Sequence, residues 1–130
     1  VLLSHLHYDH ADLPSLRRLP RQAVVFVPRG AGAYLAPRLP QKVMEVGCGE
    51  AVQWDGLHVT ATPAAHPGGR PLWGLNVPAQ GYIVQGGFTV YFAGDTDLFD
   101  EMEGMGRRWE IDLALLPVAG YTPCTGVLFA

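Results

Sequence analysis

At 130 residues, 48% of them apolar and 16% charged, with a net charge of −3, the chain has the size and composition of one ordinary domain, 1–130, with a core of its own. Its arginines are scattered, so it lacks the electrostatic footprint of a nucleic-acid binder. Its apolar runs fall short of the ~20 residues of a membrane span, and no charged start precedes an apolar stretch, so it reads as soluble and cytoplasmic with no transmembrane segment.

Val1 to Leu3 is an apolar run ending at Ser4, the form of the last residues of a buried strand. Because the chain starts inside a strand without Met and stops at "GVLFA", it is expected to be a fragment. Leu13, Leu16 and Leu19 recur every three residues after Asp12, a capping residue, and Pro14, which a first helical turn tolerates. The spacing predicts a helix over 13–19. "AVVFVP" is a β-branched run closed by Pro28, the mark of an interior parallel strand, and "GAGAYLAPRL" predicts a weak short helix broken near Pro37. From Lys42 the pattern changes to hairpins. "KVMEV", "EAVQW" and "LHVTATPA" are extended runs, the last two joined by Asp55-Gly56, a two-residue hairpin signal. "QGYIVQ" and "FTVYFAGD" repeat this across Gly86-Gly87. Weak helical character over 98–109 is followed by "IDLALLPVAGY", read as an interior strand. Strands and helices in this order make a mixed α/β protein. Cys48 and Cys124 lack paired spacing and are expected to be reduced thiols.

Four side chains of metal-ligating type fall within six residues: His5, His7, Asp9 and His10. In an extended segment His5, His7 and Asp9 share a face, and His10, at the turn into the helix, swings round from the other side. Packing three imidazoles and a carboxylate at a strand end is costly without a cation to offset the desolvation. His66 and Asp95 each follow the end of a strand in a glycine-bearing loop, where mixed sheets place ligands. His58, with Thr60 and Thr62 on its face, reads as the solvated side of a strand. Asp97 and Asp100 belong to a turn.

"SHLHYDH" resembles the His-x-His-x-Asp-His signature of the metallo-β-lactamase-fold hydrolases, and "PAAH" and "YFAGDTD" are similar to their later histidine and aspartate motifs. Within that superfamily, "FAGDT" followed by "LLP" is similar to the subgroup holding the N-acyl-phosphatidylethanolamine phospholipase D and the ascorbate-phosphate lactonase. The resemblance implies an αββα sandwich, here incomplete at both ends. It implies that His5, His7 and His66 hold one metal, that Asp9 and His10 hold a second, and that Asp95 bridges them. The family's last ligand, a histidine beyond the strand matching "DLALLPV", has no counterpart, since no histidine follows His66.

The ligand set implies two divalent ions, zinc first and manganese or iron as alternatives, about 3.5–4 Å apart and sharing the water that acts as nucleophile. Asp9 is the candidate catalytic carboxylate, orienting that water as well as binding metal. Asp12, Asp97 and Asp112 are unranked candidates to support the histidines. The loop after His66 offers Arg70 for a phosphate and Trp73 as an aromatic wall. The expected function is hydrolysis of a small-molecule or lipid-like substrate, a phosphodiester or lactone first. The alternatives are an iron-binding redox or sulfur-handling protein on the same fold, and an inactive truncated fragment.

Overall fold

The computed structural model describes residues 1–68 and 76–118, together with the backbone of 120–122 and 127–129. Strand β1, Val24–Pro28, runs between two parallel neighbours. On one side Leu2 bridges Phe26, with Leu3 N–H donating to Phe26 O at 2.9 Å; on the other lies β2, Lys42–Val46. Between the first run and β1 stands helix α1, Leu13–Arg18, whose amino end is capped where the Asp12 carboxylate accepts from Ser15 N–H at 3.0 Å. Between β1 and β2 stand α2, Gly32–Leu35, and a 3-10 turn, Ala36–Arg38. The hairpin character expected from Lys42 onward therefore begins later. A helical crossover separates β1 from β2, and such a connection returns the chain in the same direction.

The second sheet has the order β3-β4-β5-β6-β7, formed by Ala51–Trp54, Leu57–Pro63, Gln80–Gln85, Thr89–Phe92 and Leu113–Leu115. Its first three pairings are antiparallel, and β6 and β7 are parallel across helix α3, Glu101–Arg108. Asp55 and Gly56 both take positive φ, 50° and 77°, as a two-residue turn matched to strand twist requires. β8, Gly120–Thr122, and β9, Val127–Phe129, form a separate antiparallel pair.

Alternation along the strands sorts the core into three layers. Val25 and Val27 face α1 and α2 through Leu16 and Leu35, while Val24 and Phe26 face the second sheet through Val59, Ala61 and Tyr82. Ile83 and Tyr91 face α3 through Met105. Helix, sheet, sheet, helix is the αββα order that the sequence motifs implied. Tyr82 joins the two sheets with a polar contact: its buried hydroxyl donates to Leu3 O at 2.9 Å and accepts from Gln80 Nε2 at 2.7 Å. Burial pushes the Tyr82 hydroxyl pKa upward, so it stays protonated and able to donate.

Two strand readings are corrected. Thr60 and Thr62 are buried rather than solvated, because that face of β4 lies beside α3; only His58, further out, is exposed, with its Nε2 2.9 Å from Gln53 Nε2. β7 is the outermost strand of its sheet among the described residues, and Leu113 and Leu115 are half-exposed. An apolar run of three looks the same in a central strand as at an edge. No described helix is long and apolar enough to cross a membrane.

Candidate metal centre

Three chain segments meet at the carboxyl ends of the strands, and backbone hydrogen bonds tie them together. Gln80 N–H donates to Ser4 O at 3.0 Å, and Leu6 N–H donates to Gly68 O at 3.0 Å, holding the His5–His7 segment against β5 and against the loop of His66. Asp97 N–H donates to Ala65 O at 3.1 Å, and Ala65 N–H donates to Thr96 Oγ1 at 2.8 Å, fixing the His66 loop to the Asp95 loop. The site thus rests on backbone positions set by the sheets. Gly94, at φ 64°, makes the Asp95 turn possible: a Cβ there would stand 2.5 Å from Ser4 Cβ.

Four imidazoles converge as a result. The His5 ring centroid lies 4.5 Å from that of His7, 4.1 Å from His10 and 4.8 Å from His66. Asp95 Oδ2 sits among them, 3.1 Å from His10 Nε2, 3.9 Å from His5 Nε2 and 4.0 Å from His66 Nε2. Two donor groups emerge, His5 with His7 and His66, and His5 with His10 and Asp95; within each, the ligand atoms lie within 4.8 Å of one another.

Asp9 is placed differently from the other ligand-type residues. The extended run stops at His7, where Ala11 N–H donates to His7 O at 2.8 Å and closes a turn. The alternation expected to carry Asp9 onto the face of His5 and His7 is therefore broken. Its side chain is 79% exposed, with Oδ2 3.6 Å from His10 Nε2.

The donors fit a cation. His5 is fully buried, and its Nε2 has no hydrogen-bond partner among the described residues, an arrangement that is costly unless something ligates that nitrogen. His7 Nδ1 and His66 Nε2 are 3.3 Å apart, close to the edge of about 3.3–3.4 Å expected for a tetrahedron with metal–nitrogen bonds of about 2.0–2.1 Å. Burial first, and then the neighbouring His10, His7 and His66, hold the His5 pKa down to about 3. Burial also lowers that of His66, against the opposing pull of Asp95. Both rings are thus neutral at pH 7, the form that binds metal.

A cavity of about 400 Å³ opens beside the cluster, with His10 and Asp95 at its polar end and Phe92, Leu115 and Leu116 among its apolar walls. Arg70 and Trp73, singled out as substrate contacts, lie outside the described residues, as does Cys124. Cys48 is an exposed free thiol. Asp12 and Asp112 serve local structure, capping α1 and accepting from Thr89 N–H at 2.7 Å. Sequence reasoning missed Thr96 and Gly94, although both flank Asp95 in "FAGDTD".

The sequence profile described as "Beta-lactamase superfamily domain" matches residues 1–127. A UPF0173 metal-dependent hydrolase from Saccharolobus solfataricus is 32% identical over 124 residues, covering 92% of this chain and 52% of that protein. One from Nitratidesulfovibrio vulgaris is 38% identical over 131 residues, covering 92% and 51%. Among solved structures, a novel metallo hydrolase from the hyperthermophilic archaeon Ignicoccus hospitalis superposes with a TM-score of 0.76 at 31% identity, covering 93% of this chain and 52% of that one. The chain spans about half the length of each of these three relatives.

Proposed function

Because the chain belongs to the β-lactamase superfamily domain family, we propose that it carries the metal centre of a hydrolase that uses two divalent cations, zinc before manganese or iron. The observation that carries this reading is the buried His5 Nε2, without a hydrogen-bond partner among the described residues, at the junction of two groups of donor atoms. His5, His7 and His66 would hold one cation, and His10 and Asp9 the other, with Asp95 between them. Divalent cations, when bound, supply Lewis acidity that acidifies water and polarises a phosphoryl or carbonyl oxygen.

The protein's own part is placement and proton handling. The tied loops hold the histidines in fixed orientation, and burial keeps His5 and His66 neutral, so little reorganisation remains when substrate arrives. Asp9, exposed beside His10, would orient the attacking water as well as bind metal. Phe92, Leu115 and Leu116 offer an apolar wall next to the polar His10 and Asp95, which suits a substrate with a polar scissile group on an apolar body. Together with the narrower likeness to the phospholipase D and lactonase subgroup, this supports a lipid-like phosphodiester or a lactone, handled in the cytoplasm.

Metal content per chain, measured by elemental mass spectrometry and followed by assays on an aryl phosphodiester and a panel of lactones, tests the reading. Two equivalents of zinc with turnover of either class is the expected result. Iron after aerobic purification with no hydrolysis would favour the redox alternative, and no bound metal would sink the proposal.

A further inference from the structure

The hydroxyl of Ser4 contacts both halves of the cluster, and neither the family match nor the donor set assigns it a role. Ser4 is 2% exposed; its Oγ lies 2.9 Å from His5 Nδ1 and 3.4 Å from His10 Nδ1. Its backbone is held at Ser4 O by Gln80 N–H, and Gly94 packs on its Cβ, so the hydroxyl has little freedom to move away.

We propose that Ser4 is a positioning residue that sets the tautomers of His5 and His10 through one directed chain of hydrogen bonds. A hydroxyl has a single proton to give and two lone pairs to receive. A proton on His5 Nε2 would be a buried donor without an acceptor, since the Asp95 oxygen is 3.9 Å away. The proton therefore sits on His5 Nδ1 and is donated to Ser4 Oγ, which turns the Nε2 lone pair toward His7 and His66. Having accepted from His5, Ser4 donates its own proton to His10 Nδ1. In the metal-free protein His10 then carries its proton on Nε2, which lies 3.1 Å from Asp95 Oδ2; a cation taking that nitrogen would require the proton to move to Nδ1, with the second lone pair of Ser4 Oγ accepting from it. One serine thus orients the ring that both donor groups share and links it to the His10–Asp95 pair. This assignment rests on the metal-centre reading above, and metal-free protein can test it separately.

The experiment is a long-range ¹H–¹⁵N correlation spectrum of the metal-stripped, full-length protein labelled at histidine nitrogen, with signals assigned from His5→Gln and His10→Gln. His5 should appear as the Nδ1–H tautomer and His10 as the Nε2–H tautomer, with exposed His58 as reference. Ser4→Ala should mix both tautomers and weaken binding of the first zinc ion about 10–100-fold in a chelator competition, and Ser4→Thr, which keeps the hydroxyl, should restore both. Unchanged tautomers and unchanged zinc affinity in Ser4→Ala would overturn the proposal. Should Ser4→Ala not fold, the unsubstituted protein decides alone: an Nε2–H tautomer at His5 overturns the assignment and an Nδ1–H tautomer supports it. Correct tautomers in a protein that binds no zinc would uphold the serine's role while removing the hydrolase reading.

Discussion

The donor cluster has an inner and an outer half of different construction. His5, His7 and His66 form an all-imidazole group around a fully buried ring, held by backbone hydrogen bonds from three segments. His10 and Asp95 line the cavity, with Asp9 beside His10, and this half carries carboxylates: Asp95 is 41% and Asp9 79% exposed. In the inner half His5 is fully shielded from solvent, and its Nε2 has no hydrogen-bond partner among the described residues. In the outer half the carboxylates are exposed, and the His10 ring nitrogen already has a carboxylate neighbour. A cation gains more where its ligands have nothing else to bond, so the inner half should fill first and the outer half should govern access to substrate.

Removing the shared ring should give the largest effect. His5→Ala is expected to leave no bound metal in either half by elemental mass spectrometry and to abolish turnover; retention of both equivalents would show that the halves do not depend on His5. Asp95→Asn should separate them, dropping the stoichiometry from two to one while the inner cation stays. An outer site that survives that change would assign the bridging role elsewhere. Asp9→Asn should be milder for metal, weakening the outer cation about tenfold in a competition titration, with a larger loss in kcat than in metal content if the carboxylate also handles a proton.

Acid should attack the inner half first. His5 takes up a proton near pH 6.5 in the unfolded chain but only near pH 3 when folded, and the His66 pKa moves in the same direction. Between those values the unfolded state binds more protons, so the stability of the metal-free protein is greatest above about pH 6.5 and falls as pH drops toward 3. Melting temperatures from pH 7.5 to 5 should decline by several degrees, and a flat profile would contradict the burial of His5. The smallest change should come from outside the cluster. Thr62, buried on the face of β4 beside α3, has no hydrogen bond of good geometry at its hydroxyl among the described residues, so Thr62→Val should shift stability by less than about 1 kcal/mol and leave metal content unchanged.

Local chemistry made much of this legible. Asp12 ahead of "LPSL" marked a capped helix, Asp55-Gly56 marked a two-residue hairpin, and the density of imidazoles after Leu3 marked a candidate metal centre, because each signal depends on neighbours in the chain. The parallel pairing of β2 was not legible, because a strand of five residues does not carry its partner's direction in its own composition. Nor was the covered face of β4, since Thr60 and Thr62 look solvated until α3 is laid beside them.

The site divides in the same way. Which residues could bind metal follows from their chemistry, and His5, His7, His10, His66 and Asp95 were all readable from motif and order. Which nitrogen is buried, that Asp95 sits within 4.0 Å of three rings, that Asp9 turns outward, and that Ser4 touches two histidines were decided by tertiary structure. His66 and Asp95 reach the cluster from strands far along the chain. Their distances, burial and hydrogen-bond partners exist only once two sheets pack and bring the carboxyl ends of those strands together.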